Sequence, residues 1–168
     1  MRQAGYKVTI QTYNYRASEI VGVPQFTTSA RTYLTNHDWF VARLSGAGTL
    51  TAPVQPASGA GTGCSPQDLT GFVRGNIALL QRGSCAWDQQ VEHAAQAGAA
   101  GIIVYNRQDN ANGIAMPAHL HHPATVPVVS TSFAVGSDLS QLHASGQTPT
   151  AHLDVRTQQV SSVDYNLI

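Results

Sequence analysis

The chemistry open to this chain rests on few residues. Its 168 residues include seven histidines, two cysteines, one lysine (Lys7) and two glutamates, Glu19 and Glu92. The densest cluster is His119-Leu120-His121-His122, with Met116 just upstream. Imidazoles at alternate positions of an extended loop can share a face and take a divalent cation. Asp109 is the nearest carboxylate in sequence that could orient one of them. No Cys/His set has structural zinc spacing, so the cluster reads first as a polar loop with adventitious affinity for nickel or copper. Arg82 precedes Trp87 in a turn. Its guanidinium could grip a peptide carboxylate bidentately, or it could tie down the carbonyls of its own turn. Trp87 could offer an aromatic platform or simply join the core. His37, His93, His143 and His152 stand alone and read as surface or satisfied polar residues.

Common catalytic signatures are missing. A phosphate loop needs a lysine after its glycines, but Gly59, Gly61 and Gly63 lead into Cys64-Ser65-Pro66, which reads as a flexible connector. No Gly-x-Ser-x-Gly elbow occurs, and Glu92-His93 has no second histidine at zincin spacing. Cys64 and Cys85 belong to no Cys-x-x-Cys pair; on spacing alone they could be two free thiols or one bridge.

The elements that must position these groups centre on residues 75–106. Residues 76–81 form a short apolar run, which Arg82-Gly83-Ser84 ends. From Cys85 the apolar positions, Trp87, Val91, Ala94 or Ala95, and Gly98, fall at helical spacing. Ser84 is the expected N-cap, Asp88 sits in the first turn, and Gly98 is the stop. Residues 101–105 are a second buried strand, so the segment predicts a right-handed βαβ unit. Elsewhere the pattern predicts a half-buried strand at 7–15, after the end of a helix stopped by Gly5. An irregular loop follows at 17–35. Residues 38–44 and 49–55 predict a hairpin around Ser45-Gly46-Ala47-Gly48, with Pro53 marking an edge strand. Loops at 56–66 and 106–123 come next, then a strand at 126–131. A helix capped by Ser132, with Val135, Leu139 and Leu142 inward, is expected to end at Gly146. Strands at 150–156, with Leu153 and Val155 inward, and at 161–168 finish the chain. The expected fold is mixed α/β and strand-rich: a β-sandwich or open-barrel body with a βαβ unit and about two helices.

Composition narrows the class. Nine cationic and nine anionic side chains balance, which leaves no electrostatic footprint for nucleic acid or an anionic membrane. No run of 18 apolar residues is present. One domain is expected at this length. No apolar stretch follows Arg2, so residues 1–5 are not a signal peptide and by themselves suggest a cytosolic chain.

The ordered set of a strand at 77–80, Arg82-Gly83-Ser84-Cys85-Ala86-Trp87, Ala97-Gly98-Ala99 and a strand closing on Tyr105-Asn106 resembles the signature of the protease-associated domain. The resemblance covers about 38–155. The flanks, 1–16 and 157–168, include Gln3-Ala-Gly-Tyr-Lys-Val-Thr-Ile10 and Val163-Asp-Tyr-Asn-Leu-Ile168, which resemble the segments around this insert in secreted bacterial zinc aminopeptidases. The resemblance implies a single noncatalytic domain, 1–168, that caps or shapes access to a peptidase site. It implies a Cys64–Cys85 disulfide, as related secreted domains carry a bridge at matching places; such a bridge contributes about 3 kcal/mol. The chain is then expected to be an excised piece of an exported protein. Zinc and its ligands would belong to a catalytic domain outside this chain, with no cofactor and no catalytic residue here. The implied partners are that peptidase domain and a peptide or protein substrate. A stand-alone peptide-binding or sorting module, gripping its ligand through Arg82 and Trp87, is the alternative.

Overall fold

The computed structural model describes residues 9–29 and 32–167. The expected helix end at Gly5 and the start of the first strand lie outside them. The elements are β1 (Ile10–Ile20), β2 (Gln25–Thr28), β3 (Trp39–Val41), β4 (Gly48–Pro56), β5 (Ile77–Gln81), α1 (Trp87–Gln96), β6 (Gly101–Tyr105), β7 (Val128–Thr131), α2 (Phe133–Ala144), β8 (Thr150–Val155) and β9 (Thr157–Leu167). Short 3-10 turns occupy Pro66–Leu69 and Ala111–Gly113. The body is a seven-stranded sheet ordered β2-β8-β4-β5-β6-β7-β3. Strands β4 to β7 run parallel, and the outer strands are antiparallel to their neighbours. The two outermost strands approach each other. Phe26 of β2 meets Trp39 of β3 edge to face, with ring centroids 5.7 Å apart, and stacks on Tyr33 at 5.0 Å. The sheet is therefore nearly closed, with three aromatic rings across its seam. Among the described residues no helix is long and apolar enough to cross a membrane.

The βαβ unit forms as the pattern requires. Both faces of β5 and β6 are buried, which explains their unbroken apolar runs. Ile77, Leu79 and Ile103 point to a core shared with α2, while Ala78, Leu80, Ile102 and Val104 point to a second core under α1. Gly98 adopts φ +93° past the end of α1, a left-handed conformation that a side chain would strain. Ser132 caps α2 by accepting from the Val135 N–H, and Gly146 follows its end at φ +82°. Gly136 lets α2 close on Tyr105: an added Cβ would lie 1.9 Å from the ring.

Several expectations fail for identifiable reasons. No hairpin joins β3 and β4. β3 pairs with β7, while β4 pairs with β8 and β5. The intervening turn is drawn toward β7, where Ser45 Oγ accepts from the Val128 N–H at 2.8 Å and the Gly46 N–H donates to Val126 O. Nor is β4 an edge strand. It pairs with β8 from Gly48 to Pro53 and with β5 from Val54 on, so Pro53, which has no N–H, stands where the strand changes partner. Helix α1 starts at Trp87 after Ala86, and Ser84 caps nothing. The 17–35 region is not all loop: β1 continues to Ile20, and β2 follows.

β1 is not half-buried either. It pairs only with β9, as a ribbon apart from the body, and its Ile10 is 55% exposed. Only Arg156 separates β8 from β9. Its guanidinium holds Asp154 through Nε at 3.1 Å and Nη2 at 2.9 Å, and Thr49 Oγ1 donates to the same carboxylate at 2.8 Å. The Val21 N–H donates to Arg156 O, fixing the ribbon's root.

Candidate functional site

The chemistry-bearing residues gather at the C-terminal ends of β5, β6 and β7. Arg82 follows β5 and Asn106 follows β6, while Ser130 and Thr131 end β7. With Trp87 and Met116 these residues line a hollow of about 160 Å³. Ligands commonly settle outside the carboxyl ends of parallel strands.

Of the two roles open to Arg82, the fold shows the one that ties down the carbonyls of its own turn. Its Nη1 donates to Gly83 O at 2.7 Å and to Cys85 O at 2.6 Å, tying down the turn. The guanidinium carbon also lies 4.7 Å from the Trp87 ring centroid, a cation–π arrangement. Burial, and secondarily the charge of Arg107, hold its pKa below the ordinary value. Trp87 is partly buried: it packs against the core under α1 and shows its other side to the hollow.

The turn is cross-linked to the preceding loop by the Cys64–Cys85 disulfide, whose Cα atoms are 5.8 Å apart. Gly83 is required there, because an added Cβ would lie 2.5 Å from Cys64 Sγ. The residue that completes this assembly, Gln90, carried no motif. It is fully buried in α1. Its Nε2 donates to Thr62 O and, at 2.8 Å, to Gln81 O, while its Oε1 accepts from Arg82 Nη1 at 3.4 Å. The only signal was spacing: Trp87, Gln90, Val91 and Ala94 share one helical face, so the polar member had to be satisfied inside.

Asn106 organises the next loop. Its Nδ2 donates to Asn110 O and Ile114 O, and its Oδ1 accepts from the Arg107 N–H and Asn110 Nδ2. Its own N–H reaches Thr131 O, so loop and sheet are joined through one residue.

The fold separates His119 from His121 and His122, which meet one carboxylate. His121 Nδ1 lies 2.9 Å from Asp88 Oδ2, and His122 Nδ1 lies 3.5 Å from Asp88 Oδ1. The N–H groups of His121 and His122 both donate to Asp88 Oδ1. Burial of Asp88 opposes its charge, but the imidazole and these two backbone donors outweigh it and hold the carboxyl down at about 2. His119 stands apart, with its backbone bridged to Arg43. Asp109, the expected carboxylate partner, pairs instead with Arg107. Among the described residues no group of three or more His, Cys, Asp or Glu side chains comes together to hold a metal. His37, His93 and His152 each meet a nearby oxygen, on Asp38, Gly63 and Thr51 respectively.

Comparison with known proteins places this architecture. The PA domain family matches residues 47–139. An aminopeptidase of Pseudomonas aeruginosa is 31% identical across the whole chain, which covers 33% of that protein. A probable leucine aminopeptidase 2 of Aspergillus fumigatus is 34% identical over 63% of the chain and 21% of its own length. The chain thus spans about a third or less of these relatives. Among solved structures, the aminopeptidase of Aneurinibacillus sp. strain AM-1 superposes with a TM-score of 0.76 at 20% identity, over 99% of this chain and 38% of that one. A zinc aminopeptidase of Bacillus subtilis gives 0.68 at 24% identity, over 96% and 37%. At that identity the likeness speaks to fold alone. The nearly closed sheet, the bridged turn before α1 and a family match over more than half of the sequence converge on one assignment: this chain belongs to the PA domain family.

Proposed function

We propose that the chain is a noncatalytic module of an exported zinc aminopeptidase and that it shapes the approach of peptides to a catalytic site outside these residues. The observation that carries this reading is the match to the Pseudomonas aminopeptidase along the entire chain, both ribbon strands included, with two thirds of that protein lying elsewhere. The residues described here do not fit a zinc site, since no cluster of ligands forms. In this reading zinc belongs to the peptidase portion, since a structural neighbour is a zinc aminopeptidase. The disulfide suits an oxidising, extracellular setting. The access role falls to the loops at 56–66 and 106–123, with the 21–24 segment, since loops carried on a rigid sheet are where recognition concentrates.

The experiment compares the whole protein with a variant in which residues 107–115 are replaced by a short glycine linker. If the module shapes access, kcat/KM for long peptides changes severalfold while that for a single aminoacyl anilide does not. Equal changes, or none, would remove the access role. Turnover of the anilide by the isolated, zinc-supplemented chain would remove the noncatalytic reading.

A second reading, a stand-alone peptide-binding module, draws on the hollow beside Arg82 and Trp87. Among the described residues the guanidinium's hydrogen bonds leave from Nη1, and the surrounding Asn106, Asn110 and Thr131 could meet an extended peptide. Saturable binding of a short peptide by the chain, lost in Trp87→Ala, would favour it; a silent titration would dismiss it.

A further inference from the structure

The ribbon of β1 and β9 has two unlike faces. The register pairs Thr12 with Tyr165 and Asn14 with Val163, so Ile10, Val163 and Tyr165 lie on one face, and Tyr13, Tyr15 and Asp164 lie on the other. The second face is suited to water: the Tyr13 hydroxyl donates to Asp164 Oδ2 at 3.2 Å, and polar residues flank the tyrosines. The first face carries a line of apolar side chains at its far end, beside the exposed Thr12 and Asn14. Ile10 is 55% exposed, Val163 50% and Tyr165 62%. At its root the same face carries Ser18, Ile20 and Thr157, which line a hollow of about 270 Å³ against Val41 and Ala118 of the body.

An isolated two-stranded ribbon is at best marginally stable in water, and single chains rarely leave a contiguous apolar face uncovered. Among the described residues, the apolar side chains at the far end of this one stay half or more exposed. The Pseudomonas relative nonetheless matches along both strands and has two thirds of its length beyond the match. We infer that the Ile10, Val163 and Tyr165 face is an intramolecular docking surface. Its occupant is a segment of the same protein outside these 168 residues, reaching from the ribbon's far end toward the hollow at its root. The inference rests on the proposal that a peptidase body accompanies this module. It makes the ribbon an interface between the two bodies, with the tyrosine face left in water.

Hydroxyl-radical footprinting of the whole protein tests this, with Tyr15 as the internal reference and aminoacyl anilide hydrolysis followed on the same sample. In the chain alone Tyr165 is more exposed than Tyr15, 62% against 43%. In the whole protein the order should reverse, with Tyr165 modified at no more than about half the rate of Tyr15. An active enzyme in which Tyr165 still reacts faster would overturn the docking surface and leave the proposed function standing. Protection of Tyr165 that disappears on dilution would assign the face to a second copy and overturn the intramolecular occupant. An intact protein without hydrolysis would count against the proposed function, whichever tyrosine is protected.

Discussion

Replacing Gln90 by alanine should cost this fold about 3 kcal/mol. The substitution deletes two donor bonds, to the carbonyls of Thr62 and Gln81, each worth about 1 kcal/mol net. It also empties a fully buried site under α1, which adds about 1 kcal/mol because the surroundings relax only in part. For a chain of this size that corresponds to a fall in Tm of about 6–12 °C. Urea unfolding at neutral pH with the disulfide intact measures the difference directly. Gln96→Ala, on the exposed side of the same helix, should stay within about 0.5 kcal/mol of the parent. Gln90→Glu keeps the shape but turns an oxygen toward two carbonyl oxygens, so it should be at least as damaging as alanine despite Arg82 nearby. Gln90 and the disulfide restrain the same 62–64 segment, so combining Gln90→Ala with Cys64→Ala and Cys85→Ala should give a loss that departs from additivity by more than about 0.5 kcal/mol. A loss below about 1 kcal/mol for Gln90→Ala alone would refute the claim that this side chain clamps the turn.

Three further outcomes follow from the geometry. Removing the bridge by Cys64→Ala with Cys85→Ala should lower unfolding free energy by about 3 kcal/mol, read from the same denaturation curves. Gly136→Ala should destabilise by about 1–3 kcal/mol or displace α2, because the new methyl would meet the Tyr105 ring; calorimetry of the variant checks it. Asp88 has a folded pKa of about 2, below its unfolded value of 3.8, so its contribution is present above pH 4 and is lost as pH falls through 2. After discounting for the exposed imidazoles, that contribution is about 1–2 kcal/mol. Asp88→Asn should therefore flatten the acid limb of the stability profile and speed amide exchange at His121 and His122; an unchanged acid limb would contradict the pairing.

The sequence disclosed most parts of the fold whose signals are local, the Ser84 cap being the exception. The βαβ unit, the Ser132 cap and the stops at Gly98 and Gly146 each depend on residues within a few positions, and each formed. The Cys64–Cys85 bridge followed from resemblance, since spacing alone left the thiols undecided. Strand partnership outside the βαβ unit was not legible. Ser45-Gly46-Ala47-Gly48 has the composition of a hairpin turn, yet the Ser45 hydroxyl and the Gly46 N–H bond it across to residues 126–128 at β7, more than seventy-five residues away. The candidate site shows the same division. Arg82 and Trp87 stood out by type and position, but not for the contact they make with each other. Gln90 did not stand out, and Asp88 did so only as a first-turn anion, because their contacts depend on loops that fold back from residues 62 and 121.

The partner switch at Pro53 has a consequence for how the body opens and closes. Strand β4 belongs to two sheet segments at once: its first half is laced to β8 near the far end of the chain, and its second half to β5 shortly downstream. Neither segment can come apart without loosening the strand that the other also uses. The body should therefore melt as one cooperative unit, with no stage in which β2 and β8 are free while the βαβ unit persists. The same splice delays assembly, for β4 is complete only after a strand about a hundred residues later has been made and brought back to it.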